Sequence, residues 1–271
     1  MHLFQVGAGS GGMPVLDMLA RDARITRVTL VEPDVFKPHN VERHLFTQKD
    51  VGELKAVLAE RWLKARRPEL EVNVIVADLL DQARQPEIEA AVASADIGVC
   101  AADNEAAKFH FDQLMRKHKK PWTLGEVLSG GIGGLVHWFV PGGPCYGCVA
   151  SHLQRNVEVE KPKAPDYSAP AAPVQEATIP ASKAAITTIA GLHAVVTLVL
   201  LANPAGYNPG FTSLLLPLQQ VPDVFNEAFR PFRFRVARSP ECLVCREPER
   251  PIASEDLDAA LNQALARLAH E

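Results

Sequence analysis

Four of the chain's five cysteines stand in two Cys-x-x-Cys pairs, Cys145/Cys148 and Cys242/Cys245, while Cys100 stands apart. Two residues between paired thiols let both sulfurs reach one cation. Two such pairs complete a tetrahedral set, so the pattern predicts zinc held by all four. The start, Met1-His2-Leu3-Phe4, lacks the basic residues and long apolar stretch of an export signal. A cytoplasmic setting is the expectation, and there such pairs bind metal in preference to forming disulfides.

A second group lies near the start. Gly7, Gly9 and Gly12 follow the spacing G-x-G-x-x-G between a short apolar segment and a helical pattern. Glycine there permits a tight turn and brings backbone N–H groups against phosphate at a helix N-terminus. Glu32 closes the next apolar run, where a carboxylate can accept hydrogen bonds from ribose hydroxyls. Together these point to an adenine nucleotide and leave NAD, FAD and ATP open. The bland alternative is a turn that needs small residues only for packing.

The segment from Glu32 to Lys55 narrows the choice. Asn40, Arg43 and Lys55 follow the acidic pair Glu32 and Asp34. A dinucleotide has little use for such a group, whereas a triphosphate needs fixed positive charge and an oriented amide. Asp103 follows a further apolar run, where a carboxylate could hold Mg²⁺ between phosphate oxygens. Taken singly, Arg43 and Lys55 could be solvated surface cations, and Asp103 a helix N-cap.

The elements that would position these residues alternate. Strands are predicted at 2–6, 28–31, 72–77 and 96–100. Helices are predicted at 13–23, 54–66, 86–93 and 105–117, the second stopped by Pro68. This βαβαβαβ rhythm predicts an α/β, Rossmann-like, mainly parallel sheet with helices on both faces. After Trp122 the rhythm breaks. Strands at 123–127, 134–140, 212–218 and 233–236 imply a mixed or antiparallel C-terminal extension bearing the four-cysteine zinc site. The organisation expected is a single unit over 1–250, with a nucleotide-binding half at 1–122 and a C-terminal half at 123–250. A Pro/Ala-rich loop at 161–180 is expected to be mobile, and 254–271 reads as an amphipathic helix with Ser254 as N-cap.

Composition agrees with a globular protein: 271 residues, 47% apolar, 22% charged, formal net charge −4. That balance gives no bias toward nucleic acid or anionic membranes. Residues 184–202 carry no Asp, Glu, Lys or Arg and approach the length of a membrane span. Thr187, Thr188, His193 and Thr197 interrupt them, so they read as a buried helix at a subunit interface, and no membrane partner is expected. Cys100, inside a strand, reads as a buried small side chain. His39, His44, His110 and His118 set up no metal spacing. Trp122 and Trp138 read as sheet packing, and Arg230, Arg233, Arg235 and Arg238 as a solvated edge.

The glycine turn, Glu32-Pro33-Asp34, Asn40 with Arg43, Gly52-x-x-Lys55, Asp103-Asn104 and the two cysteine pairs occur in an order and spacing that resemble the ThiF/MoeB/HesA family, bacterial relatives of ubiquitin-activating enzymes. The resemblance runs from residue 3 to about residue 246. It implies ATP and Mg²⁺ as cofactors, with zinc structural. Glu32 would hold ribose, Asn40, Arg43 and Lys55 the phosphates, and Asp103 magnesium and the incoming carboxylate. The reaction implied is adenylation of the C-terminal glycine of a ubiquitin-like or sulfur-carrier protein by a homodimer, giving an acyl-adenylate and pyrophosphate. Departures exist. Ser10 replaces a third close glycine, residues 161–188 contain no cysteine to take the acyl group, and no N-terminal helix precedes the first strand to lend an arginine to a partner. These leave room for a nonenzymatic scaffold of the same fold, and a nicotinamide or flavin oxidoreductase is the remaining alternative.

Overall fold

The computed structural model describes residues 1–153, 180–203 and 210–246. Its centre is an eight-stranded sheet in the order β3-β2-β1-β4-β5-β6-β7-β8. The strands are β1 (His2–Val6), β2 (Arg27–Val31), β3 (Glu71–Ile75), β4 (Ile97–Cys100), β5 (Trp122–Val127), β6 (Gly133–Phe139), β7 (Ser213–Pro217) and β8 (Phe232–Phe234). Pairings from β3 through β5 are parallel, and those from β5 through β8 are antiparallel. β1 is buried along its whole length, as expected for a central strand covered on both sides.

One face of the sheet carries α1 (Gly12–Ala20), α2 (Lys55–Arg66) and α6 (Lys183–Ala202). Met13, Leu16, Leu58, Leu63, Ile189 and Leu200 point inward there, each at most 3% exposed. The other face carries α3 (Gln85–Ser94), α4 (Glu105–Lys117) and α5 (Tyr146–His152), centred on Phe4, Phe111 and Trp122. Trp122 stacks on Phe139 across the β5–β6 pair, with ring centroids 3.9 Å apart. Complete burial of such side chains contributes about 2–3 kcal/mol each and fixes the layers.

The α/β reading, the parallel first half and the antiparallel extension agree with this architecture. The difference lies in α5, which the sequence analysis did not predict. Its residues, Tyr146-Gly147-Cys148-Val149, show no helical apolar period over so short a run; its first N–H, that of Tyr146, is taken by Asp112 Oδ1 at 3.0 Å, and the cysteine cluster pins it. β8 is shorter than expected, ending at Phe234. α6 passes the length and hydropathy tests of a membrane span, yet half of it is buried against α1, β5 and β6. It is a helix of the core. The expected loop at 161–180, apart from Pro180, and the expected helix at 254–271 fall outside the described residues.

Candidate functional site

The carboxyl ends of the parallel strands open onto a cleft of about 880 Å³. In open α/β sheets this is the edge where ligands bind. Gly7, Gly9, Gly12, Glu32, Asp34, Asn40, Arg43, Lys55 and Asp103 all line it. Residues far apart in sequence therefore share one wall system.

The glycine turn links β1 to α1. Gly7 has φ +92, and a Cβ on it would lie 2.6 Å from the Ala101 carbonyl oxygen. A Cβ on Gly12 would strike the carbonyl oxygen of Gly7. Both glycines are required by the backbone itself. Gly9 differs: nothing lies within 4 Å of the place its Cβ would occupy. Its open side faces the cleft, where a phosphate could approach the main chain. Buried polar side chains hold the turn from behind. Gln5, fully buried on β1, donates through Nε2 to the carbonyls of Gly7 and Gly12, both at 2.9 Å. His44 Nε2 lies 2.8 Å from the Ala8 carbonyl oxygen.

Glu32, 4% exposed at the end of β2, accepts the Ala8 N–H at 2.6 Å through one oxygen and the Asp34 N–H at 2.9 Å through the other. A carboxylate has about four acceptor positions, so two remain for ligand hydroxyls. Burial raises its pKa above the usual carboxylate value; the two N–H groups and Lys55 act in the opposite direction. Lys55, 7% exposed at the start of α2, pairs with Asp34 at 2.7 Å and stands 3.9 Å from Glu32. Lys55 is thus no solvated surface cation. Asn40 closes a short 3-10 turn, and its Oδ1 accepts the Lys37 N–H at 3.0 Å, leaving its NH₂ group as the donor. Arg43 follows in the same turn and is half-buried. Asp103 is exposed and makes no hydrogen bond or ion pair among the described residues. The cap of α4 is the neighbouring Asn104, which accepts the Ala107 N–H at 3.3 Å, so Asp103 is free of the capping role the sequence left open.

The opposite wall holds residues that sequence reasoning missed. Lys108, 4% exposed, pairs with Glu105 at 2.6 Å and Glu126 at 2.7 Å. Glu126 also meets His137 at 3.3 Å, and His137 Nδ1 bonds Ser213 at 2.8 Å. Burial alone would raise the Glu126 pKa, but His137 and Lys108 outweigh it and bring it to about 2. Isolated charges at 108 and 126 carry no motif; only the α4–β5 packing joins them.

The cysteine pairs also meet. Sγ atoms of Cys145 and Cys148 are 3.7 Å apart, those of Cys145 and Cys242 3.5 Å, and those of Cys148 and Cys245 3.5 Å. A tetrahedral zinc with bonds of about 2.3 Å separates its sulfurs by roughly 3.8 Å, whereas a disulfide brings two to about 2 Å. The set therefore fits a closed zinc site. Gly147 lets the two knuckles approach, since a Cβ there would lie 2.6 Å from Val244. The Ser239 N–H points at Cys148 Sγ at 3.4 Å, and Arg116 and Arg238 donate to the carbonyls of Val244 and Cys245. Cys100 is fully buried, and burial pushes its thiol up to about 12, which leaves it inert.

Comparison with known proteins agrees with this geometry. A profile of the ThiF family matches residues 1–244. The sulfur carrier protein adenylyltransferase of Thermus thermophilus is 29% identical over 246 residues, which span 89% of this chain and 80% of that protein. The crystal structure of Escherichia coli MccB with ATP superposes with a TM-score of 0.65 at 20% identity, over 90% of this chain and 66% of that one. MccB with MccA-N7isoASN gives 0.66 at 20% identity, over 91% and 67%. This chain thus spans about two thirds of the length of MccB, and at that identity the likeness speaks for the fold. From the matched span, the glycine-turn cleft and the paired cysteine knuckles together, the chain belongs to the ThiF family.

Proposed function

We propose that this protein uses ATP and magnesium to adenylate the C-terminal carboxylate of a small ubiquitin-like or sulfur-carrier protein ending in glycine. The observation that carries the reading is the convergence of the glycine turn, Glu32, Asn40, Arg43, Lys55 and Asp103 on one cleft. The Thermus relative, named for adenylating a sulfur carrier protein, supports it. The substrate carboxylate oxygen attacks the α-phosphorus, the bond to the β-phosphate oxygen breaks, and pyrophosphate leaves with its electron pair. A carboxylate is already nucleophilic, so alignment and charge neutralisation carry the rate. Glu32 holds ribose, Gly9 presents backbone to phosphate, and Asn40, Arg43 and Lys55 face the triphosphate. Asp103 would hold magnesium, which would neutralise part of the triphosphate charge.

We place 1–250 as a single adenylation unit, because one continuous sheet runs through both halves. Zinc on the four cysteines is structural, since none of the four lines the cleft. The exposed apolar side of α6, with Val195 58% and Val199 45% exposed, fits a homodimer contact in a cytoplasmic enzyme. The test is ATP–pyrophosphate exchange with candidate proteins ending in Gly-Gly. Exchange that depends on the protein substrate supports the reading. Tight NAD or flavin binding without exchange, or nucleotide binding with no exchange against any carrier, overturns it. A short peptide is the second substrate class. MccB structures with MccA bound motivate it, and a synthetic peptide in the same assay decides it.

A further inference from the structure

His44 follows Arg43 directly, yet it turns away from solvent. It is 2% exposed and packs its ring between Phe36 and Phe46, with centroids 5.1 and 4.4 Å away. The Phe46 N–H donates to Nδ1 at 3.2 Å. Nδ1 is therefore an acceptor, the proton sits on Nε2, and Nε2 donates to the Ala8 carbonyl at 2.8 Å. No cis peptide occurs in the described backbone, so the Ala8–Gly9 peptide is trans. In a trans peptide the N–H of the second residue points opposite to the carbonyl of the first. Anchoring the Ala8 carbonyl on His44 fixes the direction of the Gly9 N–H. Gly9 is the turn residue whose side is open to the cleft.

We infer that His44 is a positioning residue for the nucleotide: as the Nε2–H tautomer it locks the Ala8–Gly9 peptide plane so that the Gly9 N–H is aimed at a phosphate, and protonation of the ring releases that lock. This rests on the nucleotide reading of the cleft and adds a pH control to it. A doubly protonated ring carries a donor on Nδ1 facing the Phe46 N–H, so that contact breaks and the two opposed N–H groups push the ring away from the position in which Nε2 holds the Ala8 carbonyl. The surrounding charges favour the neutral ring. Lys55 from α2 and Lys183 from α6 both disfavour a further positive charge, the latter also donating through Nζ to the His44 carbonyl at 3.0 Å. Glu32 lies beyond Ala8, whose N–H it accepts, and Arg43 and Glu42 flank His44 in sequence. Burial is the main reason the pKa falls below its ordinary value near 6.5.

The experiment is calorimetric titration of magnesium with α,β-methylene-ATP into the full chain between pH 5.5 and 8, with thermal unfolding alongside. Wild type, His44→Leu and His44→Gln are compared, so protonation of the nucleotide itself is common to all three. Loss of the donor in His44→Leu weakens binding roughly tenfold at pH 7.5. His44→Gln, which keeps a donor and cannot titrate, recovers most of that loss. Wild-type affinity falls more steeply below pH 6.5 than that of His44→Gln. If His44→Leu binds as tightly as wild type, or if His44→Gln keeps the wild-type pH slope, the inference is wrong. If wild type binds no nucleotide, the function proposed above fails with it. Should His44→Leu not fold, the slopes of the other two proteins decide.

Discussion

Replacing Glu32 by Gln separates two roles that one side chain combines. Each carboxylate oxygen accepts a backbone N–H, at 2.6 Å from Ala8 and 2.9 Å from Asp34. In the amide one oxygen becomes NH₂, which faces an N–H it cannot bond. A charge-assisted hydrogen bond contributes about 1.5–3 kcal/mol, and a buried donor left unpaired costs a similar amount. Burial already disfavours the charged carboxylate, so the net loss sits near 2–3 kcal/mol. For a chain of this size that corresponds to a fall in Tm of about 5–10 °C. Under the proposed function the ribose loses its charged acceptor as well, which raises KM for ATP by roughly ten- to a hundredfold. Ribose is held equally in ground and transition states, so kcat changes little. The assays are thermal unfolding without nucleotide and pyrophosphate exchange across ATP concentrations. An unchanged Tm refutes the account of the clamp. A lowered Tm with KM within threefold of wild type refutes the ribose role and leaves the clamp standing.

Asp103→Ala or Arg43→Ala should reduce exchange by about a hundredfold or more, on the order of 3 kcal/mol of transition-state stabilisation, with Tm little changed because Asp103 is exposed and Arg43 only half-buried; exchange at wild-type rate refutes the mechanism. Metal analysis should find one zinc per chain, and chelation should lower Tm before it lowers exchange at moderate temperature; native protein without zinc and with free thiols refutes the site. Acid should weaken the fold starting near pH 6.5. Burial holds the pKa of His193 down to about 3, so the unfolded chain takes up a proton that the native ring refuses, and stability is lost as pH falls from 6.5 toward 3. At about 1.4 kcal/mol per pH unit the full interval amounts to on the order of 5 kcal/mol. Glu32 and Asp112, whose pKa values burial raises, offset part of it. Denaturant melts of wild type and His193→Gln check this, and equal slopes below pH 6.5 refute it.

The parts of the site legible in sequence were those that depend on local geometry. Gly7 and Gly12 obey backbone sterics, the Cys-x-x-Cys spacing obeys metal geometry, and the apolar runs obey the periods of strand and helix. Their order along the chain then suggested one cleft. Contacts made by packing were not legible. His44 looked like one of several scattered histidines, because nothing in its spacing announces that its ring reaches Ala8. Lys108, Glu126 and His137 are ordinary residues until α4 lies against β5 and β6. Gln5 went unremarked inside a short apolar strand, and only the fold puts its amide under the glycine carbonyls. α5 was missed because its residues are held by the Asp112 carboxylate and by sulfur contacts rather than by an apolar stripe.

In genetic terms, the glycine motif divides into two kinds of position. A side chain at Gly7 or Gly12 collides with main-chain oxygens, so alleles altered there lose the protein itself and are found by its low abundance. A methyl group at Gly9 meets nothing, so an allele carrying alanine there accumulates a normal amount of well-folded protein and, under the proposed function, fills the phosphate's approach. The same three-glycine pattern therefore answers to two separate constraints, the backbone at Gly7 and Gly12 and, under the proposed function, the ligand at Gly9.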